Sequence, residues 1–260
     1  VEFGLRGRRA LVTAASKGLG YATAEMLLKE GCRVVISSSS RERIDAAAAS
    51  LAEHGEVLAA TADVAQPDEC ADLVDFAIHH LGGLDVLVNN APGPPPGTFE
   101  SIDEAQWRHA FDSVLMSAVR VTRAALPALK AGTGGAVVNL TSLTAKQPID
   151  LLLLSNAFRP AVVGMAKTLS REAAPEVRVN NIATEHILTD RIRQIAAVRA
   201  EARGVSPDEE LEAWGREAPL GRFGTAQELA SAAVFLAGDA ASYITGTTLA
   251  VDGGLDRGLY

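Results

Sequence analysis

A chain of 260 residues with 48% apolar, 22% charged and 5% aromatic side chains can bury a sizeable core, which excludes collagen-like, disordered and coiled-coil classes. Lys and Arg number 24 against 32 Asp and Glu, a net charge of −8, so the broad positive field that nucleic acid needs is missing and no such partner is expected. No apolar run approaches the roughly 18 residues that cross a bilayer, and Arg6, Arg8 and Arg9 precede only the short stretch Ala10 to Ala15, so neither a membrane span nor a secretory signal is expected. Cys32 and Cys70 have neither metal-ligand nor redox spacing and read as free thiols. A cytoplasmic protein without a metal site is the expectation.

Along the chain, short β-branched runs alternate with longer helical stretches. Arg9 to Thr13 reads as a strand and Gly18 to Lys29 as a helix; Arg33 to Ile36 as a strand and Arg41 to Glu53 as an Ala-rich helix. Val57 to Thr61 is the third strand, and Pro67, suited to a first turn, opens a helix to Leu81. Leu84 to Val88, Ala136 to Leu140, Val177 to Asn180 and Thr247 to Val251 follow. These runs are continuous rather than alternating, as in parallel strands covered on both faces, and seven of them separated by helices predict an α/β doubly wound parallel sheet over residues 1–260 as one dinucleotide-binding-sized domain.

Two stretches break the rhythm. Ala91 to Gly97 contains four prolines and predicts a stiff loop at the carboxyl edge of the sheet. Residues 187–214, polar and helix-prone with Gly204 and Pro207, read either as a lid over a ligand or as an ordinary helical hairpin.

After the first strand, Thr13-Ala14-Ala15-Ser16-Lys17-Gly18-Leu19-Gly20 leads into a helix. Small residues there let backbone approach a pyrophosphate, and the helix N-terminus offers unpaired N–H groups and partial positive charge. Thr13 to Gly20 resembles the Thr-Gly-x-x-x-Gly-x-Gly turn of the short-chain dehydrogenase/reductase family, with Ala14 in place of the first glycine. Asp63-Val64, Asn89-Asn90-Ala91-Pro92, Pro219 to Gly224, Tyr243 to Gly246 and Val251 to Gly254 are similar to further segments of that family in the same order, so the resemblance runs over essentially the whole chain.

The resemblance implies a seven-stranded Rossmann-type sheet that binds NAD or NADP at its carboxyl edge. It implies that Thr13, Ser16, Gly18, Leu19 and Gly20 belong to the pyrophosphate turn, that Asp63 and Val64 hold the adenine, that Asn89 and Ala91 line the ribose, and that Ile187 and Thr189 hold the nicotinamide carboxamide. Ala14 is tolerable at negative φ and costs about 1 kcal/mol or more otherwise. NAD-selective members resemble one another in an acid at the end of the second strand, where this chain reads Ile36-Ser37-Ser38-Ser39-Ser40-Arg41. Ser38, Ser39, Lys17 and Arg41 could nest a 2′-phosphate, which favours NADP(H) over NAD(H); a serine-rich strand end with Ser40 capping the next helix explains the same residues.

The family's catalytic Asn, Ser, Tyr and Lys are matched only in part. Ser142 stands at the serine position. In the register set by Ser155 to Arg159 and Ala161 to Met165, Ser155 and Arg159 occupy the Tyr-x-x-x-Lys positions, and Val114 occupies that of the asparagine. Tyr21, Tyr243 and Tyr260 are the only tyrosines and none has Lys four residues on. An aliphatic hydroxyl is far weaker as an acid than a phenol, so no catalytic role transfers to Ser155; Arg159 cannot relay protons but its fork can bond the nicotinamide ribose. Glu185 and His186 stand where the family has Pro-Gly, which makes His186, and less so Lys146, substitute acid/base candidates. The readings are an NAD(P)(H)-dependent oxidoreductase on an unidentified carbonyl/alcohol pair, similar to 3-oxoacyl-carrier-protein reductases, or a non-catalytic dinucleotide-binding homologue acting as sensor or assembly subunit. A lyase- or isomerase-like use has no residue in its favour. The resemblance also implies a homotetramer or homodimer packing through the helices from Trp107 to Leu129 and Leu151 to Ala174.

Overall fold

In the computed structural model, which describes residues 2–132 and 134–259, each β-branched run is a strand and each following stretch a helix. The strands are β1 (Arg9–Val12), β2 (Arg33–Ser38), β3 (Val57–Thr61), β4 (Val86–Asn89), β5 (Gly135–Leu140), β6 (Val177–Thr184), the short β7 (Ile187–Leu188) and β8 (Gly224–Thr225), and β9 (Thr248–Val251). The helices are α1 (Gly18–Lys29), α2 (Arg41–Leu51), α3 (Pro67–Leu81), α4 (Glu104–Ala110), α5 (Ser117–Ala131), α6 (Leu153–Glu172), α7 (Asp190–Arg203), α8 (Pro207–Gly215) and α9 (Ala226–Ala237). Seven strands pair in the order β3-β2-β1-β4-β5-β6-β9, every neighbour parallel. The order reverses between β1 and β4, which opens a crevice at their carboxyl ends.

Successive strand side chains point to opposite faces, so a continuous apolar run feeds two cores. Val34, Ile36, Val88 and Val138 pack against Leu27, Leu28, Leu229 and Val234 of α1 and α9. Val35, Leu87 and Val137 pack on the other face against Leu73, Val74, Val121 and Leu129 of α3 and α5. β6 runs four residues beyond the expected end at Asn180, because Asn181 to Thr184 stay paired with β9 through Val251.

Between α4 and α5 the backbone widens into a π-helical turn, Phe111–Met116, so the helix expected from Trp107 to Leu129 is two helices joined by a bulge. Such bulges are frequent at functional sites because they re-aim side chains. The insertion after β6 is a helical hairpin of α7 and α8, held by Glu210, which is 1% exposed and sits 2.7 and 2.6 Å from Arg199 and Arg203. Its first turn also borders the crevice, so hairpin and cleft wall are the same element.

Candidate active site

The crevice is a cleft of about 730 Å³ between the β1–α1 turn, the end of β2, the segment after β3, the loop after β4 and the start of α7. Of the sequence-derived residues, Ser16, Lys17, Gly18, Leu19, Ser38, Ser39, Asp63, Val64, Ala91 and Thr189 line it. Helix α1 starts at Gly18, so the N–H groups of its first turn, which have no intrahelical acceptor, open towards the cleft. Gly20 does not line the cleft but allows the turn: a Cβ there would lie 2.9 Å from the Ala14 carbonyl oxygen and 2.7 Å from Asn90 Nδ2. Ala14 has φ 48, the left-handed region, and is locked there by Asn90 Nδ2 donating to its carbonyl at 3.0 Å. The substitution therefore carries the conformational cost that a negative φ would have avoided.

Several residues stand elsewhere than expected. Thr13 is buried and ties β1 to β4, its Oγ1 donating to the Asn90 carbonyl at 2.6 Å. Asn89 points into the sheet: its Nδ2 donates to Asn139 Oδ1 at 2.9 Å, Asn139 donates to Asn181 Oδ1 at 2.9 Å, and Asn181 donates to Thr248 Oγ1 at 3.2 Å, a ladder of in-register neighbours. Asn90, one residue on, lines the cleft, and both asparagines border a small cavity that shares Asn90 and Ala91 with it. Arg41 pairs with Asp45 at 2.6 Å and lies outside the cleft lining, whereas Arg43 belongs to it. Ser40 caps α2 by accepting from the Arg43 N–H at 3.4 Å. Ile187 is packed into the core beneath the cleft.

Ser155 and Arg159 are buried one turn apart on α6. The Ser155 and Thr144 hydroxyls are 2.8 Å apart. Arg159 Nη1 donates to the Leu140 carbonyl at 2.8 Å, and its buried Nε has no acceptor. Burial, with the like charge of Arg191 adding to it, pushes the Arg159 guanidinium down to about 10, so it stays charged at neutral pH. Arg159 borders a small cavity with Asn89, Asn90, Ala91, Val114 and Leu140, and the orphaned Oδ1 of Asn89 belongs to the same lining. Ser142 is half-buried at the end of β5, its Oγ accepting from the Thr144 N–H at 3.2 Å.

The substitute acid/base candidates stand outside the cleft lining. His186 stacks on Phe223 with centroids 5.2 Å apart, meets Trp214 edge-on at 5.6 Å, and does not line the cleft. Those aromatic partners lie far along the chain, so the local sequence gave no sign of them. Lys146 is held by Asp256 at 2.5 Å, with Asp256 lowered in turn by that hydrogen bond. Tyr21 bonds Ser50 at 2.9 Å and Tyr243 is fully exposed, neither lining the cleft; Tyr260 lies outside the described residues. Pro92, Gly93, His109, Ser113 and Arg191 also line the cleft, and none of them was named as a cofactor residue from the sequence. For Pro92 and Gly93 the proline-rich loop was the available signal.

A family model described as enoyl-(acyl carrier protein) reductase matches residues 13–256. Tropinone reductase-like 3 of Erythroxylum coca is 34% identical over 95% of this chain and 93% of its own length. Human dehydrogenase/reductase SDR family member 4 is 33% identical over 96% of this chain and 88% of its own. Among solved structures, L-sorbose reductase from Gluconobacter frateurii, complexed with NADPH and L-sorbose, is similar at a TM-score of 0.96 and 33% identity over 100% of both chains. A short chain oxidoreductase from Pseudomonas aeruginosa PAO1, described as containing an atypical catalytic center, is similar at 0.92 and 30% identity over 98% of this chain and 100% of that one. These relatives favour redox turnover over nucleotide binding alone.

Proposed function

The chain belongs to the short-chain dehydrogenase/reductase family, and from that premise we propose that it is an NADP(H)-dependent reductase of a carbonyl compound whose proton transfer uses no tyrosine–lysine pair. The observation that carries the cofactor half is that Ser38, Ser39, Lys17 and Arg43 line one cleft and the strand end Ser37 to Ser40 has no acid. Hydroxyl donors and two cations fit a 2′-phosphate, whereas the diol of a plain adenosine ribose wants a carboxylate. The turn fits a pyrophosphate because Ser16 to Leu19 line the cleft where α1 begins, and Gly20 lets that turn close against the Ala14 carbonyl.

When bound, the nicotinamide supplies the hydride. The chain's own residues hold and polarise. The first turn of α1 would hold phosphate oxygens and Thr189 the nicotinamide carboxamide, and Asp63 and Val64 would border the adenine. The Ser142 hydroxyl donates to the substrate carbonyl oxygen. Arg159 fixes a positive charge beneath that oxygen, which stabilises developing negative charge but gives up no proton. The Ser155 and Thr144 hydroxyls are engaged with each other and neither is acidic enough to originate a proton, so the proton comes from water.

The buried free thiols Cys32 and Cys70, pushed up to about 12 and about 11 by burial, support a reducing cytoplasmic setting. Phe111, 42% exposed and in ring contact with Phe158 of α6, supports a homo-oligomer built on this helical face.

Equilibrium titration tests the cofactor assignment. NADPH binds tighter than NADH by about tenfold or more, and Arg43→Ala closes most of that gap by weakening NADPH alone. Equal affinities of the unaltered protein for the two dinucleotides would overturn it.

A further inference from the structure

The segment Val251 to Gly254, conspicuous in the sequence, has no part in the nucleotide cleft. It turns the chain at the end of β9. Gly253 and Gly254 both take left-handed backbones, φ 67 and 91, which glycine adopts without strain. The buried Asp252 carboxylate fixes the turn, accepting from the N–H groups of Gly254 at 2.9 Å and Asp256 at 2.7 Å. Because β9 lies beside β6 and β6 beside β5, the residues that leave this turn bridge the carboxyl ends of β9 and β5. They reach the segment that carries Ser142. There Asp256 Oδ2 lies 2.5 Å from Lys146 Nζ, with the two side chains only 10% and 17% exposed. The other oxygen of Asp256 accepts from the Gly258 N–H at 2.9 Å. Beside this pair, Gln147 Nε2 donates to the Leu255 carbonyl at 3.5 Å and its Oε1 accepts from the Arg257 N–H at 3.4 Å.

Lys146 and Gln147 are the last residues of a tight turn that begins at Ser142. Their N–H groups both donate to the Leu143 carbonyl, at 2.9 and 3.1 Å, and the Ala145 N–H donates to the Ser142 carbonyl at 2.9 Å. Inside the turn the Thr144 N–H donates to Ser142 Oγ at 3.2 Å. Each of these bonds is local and short in sequence, so a shift at Lys146 is carried back to the Ser142 hydroxyl. A largely buried ion pair holds such a turn only while both members are present, since removing one leaves the other charge uncompensated.

We propose that residues 252–258 are a strap that fixes the Ser142 turn, with Asp256 a positioning residue for the Ser142 hydroxyl. This rests on the reductase reading above and adds to it the group that aims the donor to the substrate carbonyl. Lys146 then acts through the turn and not as an acid or base.

The test combines hydrogen exchange of the NADPH-loaded protein with steady-state NADPH oxidation on a panel of oxo acids, their esters and ketoses. Asp256→Asn speeds exchange at residues 143–147 by about tenfold and leaves β1, β4 and α1 unchanged. For any compound the parent reduces it lowers kcat about tenfold, with the KM for NADPH within about twofold. Lys146→Met does the same, and the double variant loses no more than either single one, as members of one contact should. Asp256→Glu recovers most of the loss. Gln147→Ala, which keeps the ion pair, raises exchange in the same residues about threefold and serves where a charge variant does not fold. Unchanged exchange at 143–147 would overturn the strap, as would NADPH affinity falling as far as kcat. Faster exchange there with an unchanged kcat would overturn the positioning role. A parent protein that reduces nothing in the panel removes the reductase reading, and exchange at 143–147 then decides the strap by itself.

Discussion

At Ala14 the chain accepts a left-handed backbone that glycine would adopt without strain. Leu151 at φ 62 and His186 at φ 49 do the same, before α6 and after β6, and neither lines the cleft. Ala14→Gly therefore raises unfolding free energy by about 1 kcal/mol in urea titration, offset in part by the freer unfolded chain; a loss of stability would show that the left-handed turn carries no strain. Single-residue phase also explains which site residues were legible in the sequence. The composition of the β2 end pointed to a cationic nest, but Arg41 and Arg43 sit about 200° apart around a helix and only one can face the cleft. Asn89 and Asn90 likewise differ by one residue, and only Asn90 lines the cleft. A resemblance locates such a motif to the segment, and local geometry decides the residue.

Among the elements, strands and helices followed from apolar periodicity and the parallel sheet from uninterrupted β-branched runs. The π-helical turn at Phe111–Met116 left no periodic trace, because one shifted turn does not disturb which face is apolar. The hairpin of α7 and α8 was legible as helical but not as fixed. Its anchor is electrostatic and aromatic rather than apolar: Glu210 between Arg199 and Arg203, and the Arg199 guanidinium 4.4 Å above the Trp214 ring. Glu210→Gln removes the buried charge that holds both arginines and destabilises the hairpin by about 2 kcal/mol. Faster amide hydrogen exchange confined to residues 190–215, with weaker NADPH binding, is the expected result. Unchanged exchange there would mean that apolar contacts hold the hairpin without Glu210.

Across the whole molecule, the binding edge and the opposite edge of the sheet have separate duties. At the amino ends of β1 and β4, Asp85 accepts from the Arg9 backbone N–H at 2.9 Å and from its guanidinium at 2.8 Å through both oxygens. Burial alone would raise the Asp85 carboxyl, but these hydrogen bonds and the charges of Arg9 and Arg8 outweigh it and hold it below the ordinary range. A lowered carboxyl contributes stability that is complete above its unfolded pKa, about 3.9, and is lost as pH falls through the lower folded value. Asp85→Asn accordingly costs about 2 kcal/mol at pH 7 and makes the fall in stability below about pH 4 shallower, with NADPH affinity unchanged. A variant with the same acid slope as the parent would remove Asp85 from the acid transition.

On the proposed reading, hydride passes in this cleft from NADPH to a carbonyl carbon without a phenol in the catalytic position. Single-turnover incubation with NADPH deuterated at the transferring carbon, followed by mass spectrometry of the carbonyl compound, tests it most directly. One deuterium at the new carbinol carbon, formed by the unaltered protein and lost in Ser142→Ala, is the predicted result. Tight NADPH binding with no deuterium in any oxo acid, ester or ketose would contradict it.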